Sequence, residues 1–116
     1  MHRYWLRALA LLLLAAAQPA FAQDYPNRPI RWIIPWAAGG GSDTLARMLA
    51  PEMSKRLGQP IVIENKPGAA GAIAATEVAR SAPDGYTIFS ADNGTMVYNP
   101  ALYKKLSYTT KDFAPV

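Results

Sequence analysis

Three times in this chain a short run of β-branched or aromatic residues leads into a polar, glycine-bearing turn and then into a helix-forming stretch. This order constrains the fold more than any other feature. Strands that alternate with helices at such spacing form a parallel sheet with right-handed crossovers, an α/β architecture. The first strand is Ile30 to Ile34, ended by Pro35. Trp36-Ala37-Ala38-Gly39-Gly40-Gly41 is a turn that needs its glycines. Ser42 or Asp43 is a suitable N-cap for the helix that follows. That helix carries an apolar stripe of Leu45, Met48, Leu49, Met53 and Leu57, expected to face the sheet. Pro51 either kinks or splits it. Lys55 and Arg56 suit its last turn, and Gly58 closes it.

The second unit runs from Ile61-Val62-Ile63, an apolar run expected of a buried parallel strand. The turn Asn65 to Gly71 follows, then a small-residue helix from about Ala72 to Arg80, whose Ile73, Ala74, Glu77 and Val78 spacing suits close packing on a sheet. The third unit has a turn at Ala82-Pro83-Asp84-Gly85, a strand from Tyr86 to Phe89 and a loop at Asp92-Asn93-Gly94-Thr95. A further helix is expected over Met96 to Tyr103, interrupted near Pro100. Asp112 to Val116 reads as the opening of a fourth strand.

In a parallel sheet the loops after the strands open on one edge, where ligands bind. Each such loop here leads to a helix N-terminus, whose free N–H groups and dipole favour an anion. The candidate binding residues are therefore Trp36, Ala37, Ala38, Gly39, Gly40, Gly41, Ser42 and Asp43 in the first loop, Gly68 and Gly71 in the second, and Asn93 and Thr95 in the third. Thr44 and Asn65 can add side-chain hydrogen bonds. Such turns also occur for chain geometry alone, so pattern by itself leaves binding and purely structural roles both open. Trp36 either stacks on a ligand or covers the core. Asp43 reads as a cap rather than a catalytic acid. Gly41→Pro is expected to remove an amide and distort the first turn.

Composition narrows the chemistry. There is no cysteine, and the single histidine is His2. Met1 to Ala22 has the three parts of a secretory signal: a basic start with Arg3 and Arg7, the apolar run Ala8 to Ala17, and Ala20-Phe21-Ala22 as cleavage site. Cleavage after Ala22 would remove His2 with it. No cofactor and no metal is then expected, and the familiar nucleophilic triads lack their histidine. Neither the G-x-S-x-G elbow of an α/β hydrolase nor a phosphate-loop Gly-Lys-Ser/Thr is present. Without Arg3 and Arg7, ten basic residues face eight acidic ones, a net charge of +2. These charges are scattered, so no nucleic-acid partner is expected.

At these residues the sequence resembles the periplasmic solute-binding receptors of the tripartite tricarboxylate transporter type, the Bug family. The matching stretches are Tyr25-Pro26 with Arg28-Pro29-Ile30, Gly39 to Asp43, Leu57-Gly58-Gln59-Pro60, Glu64-Asn65-Lys66-Pro67-Gly68-Ala69-Ala70-Gly71, Ala82 to Thr87, Asn99-Pro100-Ala101-Leu102-Tyr103 and Lys111 to Val116. The resemblance implies a two-lobed flytrap fold that closes on a small carboxylate, delivers it to membrane permease subunits of a tripartite transporter or to a sensor, and does no chemistry on it. It also implies that the loop of Trp36 to Asp43, the Gly68 to Gly71 turn and the Asn93 to Thr95 loop hold the carboxylate, partly through ordered water. Trp36-Ala37-Ala38 departs from the commoner Phe or Tyr with Pro or Ala, which leaves ligand preference open. Family chains are much longer. Residues 23–116 are thus expected to be the amino-terminal part of the first lobe, a truncated parallel-sheet half, marginally stable by itself. The alternatives are a non-functional remnant or a periplasmic α/β enzyme.

Overall fold

The computed structural model of the chain describes residues 24–116. The proposed signal segment lies outside them. Strand β1 is Ile30–Ile34, β2 is Ile61–Asn65 and β3 is Thr87–Phe89. All pair in parallel, with β1 in the centre and the order β2-β1-β3. Ile30 lies beside Ile61 and Trp32 beside both Ile63 and Ile88. Helix α1 (Gly41–Leu57) joins β1 to β2, and helix α2 (Ala72–Ala79) joins β2 to β3.

The two crossovers run in opposite directions across the sheet, so right-handed connections place their helices on opposite faces. Side-chain bonds agree. On one face, the Ser54 hydroxyl of α1 accepts the Ile61 N–H at 3.0 Å, and Arg47 of α1 donates to the Asn65 side chain at 3.2 Å. On the other, Arg31 donates to Glu77 of α2 at 2.7 Å. Side chains alternate along a strand, so Ile30 and Ile34 of β1 turn toward α1 while Ile33 turns toward α2. Ile33 and Ile34 are fully buried, and Ala46, Ala50, Ala74 and Ala75 are the buried helix residues that let both helices lie close to the sheet.

This packing corrects the expected face of α1. Leu45, Met48 and Leu49 are exposed, Leu57 is 37% exposed and Met53 half-buried, and Asp43, Ala46 and Ala50 point inward. The apolar period of the helix is real, but a neighbouring stripe of small residues permits the closer approach. The helix stays one element through Pro51 and ends at Gly58, whose N–H donates to the Ser54 carbonyl at 2.9 Å and whose φ of 69° turns the chain out of the helix. Strand β2 is longer than its apolar run and less buried than expected, with Val62 exposed, because it lies at the margin of the described sheet.

After β3 a wide helical turn, Gly94–Tyr98, passes directly into α3 (Asn99–Leu102). Pro100 sits in the first turn of α3, where proline is tolerated, and interrupts nothing. The expected fourth strand is absent among the described residues. Thr110–Asp112 is a short 3-10 turn held by a reciprocal Thr109–Asp112 capping box. Phe113 then stacks on Phe89 and meets Tyr108 edge-on, with centroids at 5.8 and 6.0 Å. At the opposite edge, Tyr25 donates to the Gly85 carbonyl at 2.7 Å and Arg28 pairs with Asp84 while lying over the Tyr86 ring. These contacts fasten the proline-rich lead to the turn before β3.

Candidate functional site

In the order β2-β1-β3 the chain turns back on itself between β1 and β3, and a crevice forms outside the carboxyl ends of strands at such a point. Two expected loops flank it here, the one after β1 and the one after β3. They are joined directly: the Trp36 indole N–H donates to Asp92 Oδ2 at 2.7 Å. Trp36 is fixed at its backbone as well, since its carbonyl accepts the Asn65 side-chain amide at 3.1 Å.

Helix α1 begins at this crevice. Its N-cap is Gly40, extended at φ −74°, ψ 172°, and no side chain caps the helix. Neither Ser42 nor Asp43 is the N-cap, because both already lie inside the first turn. The N–H groups of Gly41, Ser42 and Asp43 precede the first intrahelical carbonyl acceptor, which Thr44 takes from Gly40 at 2.9 Å. Asp43 is buried, and its carboxylate is committed. Oδ2 accepts the Gly39 N–H at 2.8 Å, and Arg47 one turn on donates to both oxygens at 3.0 and 3.1 Å. The Arg47 hydrogen bonds, followed by that of Gly39, hold the carboxyl down at about 2. Asp43 therefore pins the loop as an anion, with Arg47 offsetting its charge beside the free amides.

The second loop lies behind the first. Gly68, Ala69, Ala70 and Gly71 have φ of 131, 46, 52 and 82°, four successive residues in a region that L side chains rarely adopt. At Gly71 the glycine is required twice over. A Cβ there would stand 2.4 Å from Thr95 Cγ2 and 3.2 Å from Pro35 Cβ, so the second loop touches both other loops through this one residue. The strained turn is over-determined by its surroundings. The buried Asn99 side-chain amide donates to the Ala70 carbonyl at 2.9 Å and toward the Tyr108 hydroxyl at 3.2 Å. Tyr108 in turn donates to the Thr95 carbonyl at 2.6 Å. On the far side, Lys66 pairs with Glu77 at 2.7 Å and Glu64 at 3.5 Å, and Arg31 binds both carboxylates. Arg31 first and Lys66 after it hold Glu64 below the usual carboxylate range, and Lys66 first, then Arg31, does the same for Glu77.

In the third loop Thr95 is fully buried, and both its N–H and its hydroxyl donate to Asp92 Oδ1, at 2.8 and 3.0 Å. Asn93 is exposed beside it. The structure thus brings Trp36, Gly39, Gly40, Gly41, Ser42 and Asp43 to one side of the crevice and Asn93 and Thr95 to the other. Gly71 lies beneath and Gly68 is further out. Ala37 and Ala38 are exposed on the first loop, where the Ala37 carbonyl accepts the Gly40 N–H at 3.3 Å. Thr95 and Asp43 spend their side-chain polar atoms inside the loops rather than presenting them. Sequence reasoning missed Asp92 as the bridge, Arg47 as the counter-charge, and Asn99 with Tyr108 as the brace. The Asp92-x-x-Thr95 spacing is a local turn signal that could have found one half of the Asp92 role. Nothing local indicates the other.

Comparison with known proteins places the chain in a lineage. A UPF0065 protein of Bordetella pertussis is 42% identical over 110 residues, 95% of this chain and 34% of its own length. MatC of Rhodopseudomonas palustris, solved with bound malate, is 48% identical with a TM-score of 0.74 over 79% of this chain and 32% of its own. A second R. palustris protein, solved with adipate, is 36% identical with a TM-score of 0.71, over 76% of this chain and 29% of its own. The chain spans about a third of the length of the curated relatives it matches. Residues 45–116 match the model of the tripartite tricarboxylate transporter family receptor, TctC, and the chain accordingly belongs to that family of solute-binding receptors.

Proposed function

We propose that residues 23–116 form the amino-terminal part of the first lobe of a periplasmic receptor that captures a small carboxylate at the carboxyl edge of its sheet. Residues 1–22 act as the export signal and are removed. The reading rests on one observation above the others, the first turn of α1. It has no side-chain cap, its first N–H groups precede the first intrahelical acceptor, and it starts beyond the carboxyl end of β1, where the strand order reverses. A carboxylate is one of the small anions such a turn accommodates without a dedicated cation. That two similar proteins were solved with malate and with adipate supports the same ligand class for this chain.

The site residues follow from that placement. Gly41, Ser42 and Asp43 supply backbone amides, Gly39 and Gly40 let the loop come close, and Trp36 walls the crevice from the side of β1, tied across it to Asp92. Asn93 and the turn that Thr95 holds close it from the third loop, with water filling the remaining donors. Gly71 shapes the floor, and Gly68 sets the course of the second loop further out. A receptor of this kind hands its ligand to the permease subunits of a tripartite transporter.

The test is a titration of the isotope-labelled chain with small carboxylates, followed by two-dimensional NMR. A single wet lobe gives millimolar affinity, so shifts should saturate only at high ligand concentration and centre on the amides of Gly39 to Asp43. Shifts that scatter over the surface, or that centre on the amino edge near Tyr25 and Arg28, would remove the anion from α1.

A further inference from the structure

Resting on that carboxylate reading, we infer that Asp92 is a positioning residue which turns Trp36 into an apolar wall and so biases the site against hydroxylated ligand tails. Tryptophan has one polar group, a donor, and no acceptor. In this structure that donor is spent on Asp92 Oδ2 at 2.7 Å, across loops whose residues are 56 positions apart. The Trp36 carbonyl also accepts the Asn65 side-chain amide, so the backbone that carries the ring is held in place as well. What remains of Trp36 for a ligand is carbon, and the residue is 37% exposed. A ligand hydroxyl placed against that surface gives up water without a partner, which costs affinity. A methylene in the same place loses nothing.

The bridge requires an aspartate. Asp92 accepts from three donors, Trp36 on one oxygen and the Thr95 N–H and hydroxyl on the other. An ionised carboxylate is acceptor on both sides. A side-chain amide in its place would present an oxygen to one set and an NH2 to the other, setting donor against donor. Asp92→Asn therefore releases either the indole or Thr95, and the indole, held by a single bond, is the one released. A freed indole N–H is then available to a ligand hydroxyl.

The matched pair of malate and succinate, which differ by one hydroxyl, isolates this effect. NMR titration of the whole chain and its variants gives the ratio of the two dissociation constants. Wild type is expected to prefer succinate. Asp92→Asn should shift the ratio toward malate by roughly tenfold, the scale on which a single methylene or hydroxyl is discriminated, and should move the Trp36 indole N–H resonance and speed its exchange with solvent. Trp36→Phe keeps a carbon wall and has no donor, so it should retain the succinate preference. Adding Asp92→Asn to Trp36→Phe should then leave the ratio where it was, because the two residues act as one unit. A merely structural Asp92 would instead weaken both ligands equally. That result, a wild-type preference for malate, or an equal effect of Asp92→Asn in the Trp36→Phe background would each overturn the inference while leaving the anion site standing. If wild type binds neither acid, the carboxylate reading itself fails and this inference falls with it.

Discussion

Replacing Gly41 by proline separates the anion site from the fold more cleanly than any other single change. The sequence alone suggests that proline would distort the glycine turn, but Gly41 is the first residue of α1 and needs no N–H for the helix. Gly40 before it is already extended at φ −74°, ψ 172°, the conformation that a following proline demands. A Cβ at position 41 meets nothing within 4 Å. The fold should therefore hold, and the loss of unfolded-state freedom should add about 0.4–1 kcal/mol of stability. Binding should move the other way. A hydrogen bond to a charged group contributes about 1.5–3 kcal/mol, and the open crevice puts this one at the low end, so the dissociation constant of every carboxylate should rise about tenfold. Denaturant unfolding gives the first number and NMR titration the second, with Gly41→Ala as a control that keeps the amide and should keep wild-type affinity. A proline variant that is folded and binds as wild type would refute the placement of the carboxylate on the first turn of α1.

Three other perturbations probe the scaffold. Gly71→Ala should cost about 2–5 kcal/mol, from its left-handed φ and from a Cβ driven against Thr95, and would appear as a lower denaturation midpoint. Tyr108→Phe leaves the buried Thr95 carbonyl without its donor and should destabilise by about 1–3 kcal/mol; an unchanged midpoint would mean that the brace is dispensable. The acid limb of stability should be steep. Asp43 titrates at about 2 when folded against an ordinary value of 3.8, and Glu64 and Glu77 are lowered as well. The Asp43 contribution is complete above its unfolded value and is lost as pH falls through the folded one, from about pH 4 down to about pH 2, and those of Glu64 and Glu77 are lost in the same direction on acidification. Asp43→Asn should flatten that limb, as followed by circular dichroism.

The elements of this fold are legible in the sequence because their signals are local. Ile30–Ile34 is bounded by prolines, α1 closes at Gly58 on its left-handed glycine, and α2 runs over the small residues after Gly71. Each follows from turn chemistry and periodicity within a few positions. The loops of the candidate site are legible for the same reason, since a glycine turn between strand and helix carries its own mark. Which side of α1 meets the sheet was not legible, because Leu45, Met48 and Leu49 make a stronger period than Ala46 and Ala50, and only the sheet's demand for close approach reverses the choice. The opening at Asp112 read as a strand because its local pattern is extended, yet a strand needs a neighbour, and here Phe113 finds Phe89 and Tyr108 instead. Trp36 meeting Asp92, and Asn99 reaching Ala70 across 29 positions, leave no trace in local pattern. Such contacts depend on where three loops converge once β1 lies between β2 and β3. Strands and turns were thus written in short stretches of chain, whereas the start of α1 on Gly40 without a side-chain cap was not. What the loops do to one another came only with the assembled sheet, because hydrogen bonds between distant residues are set by strand order rather than by spacing along the chain.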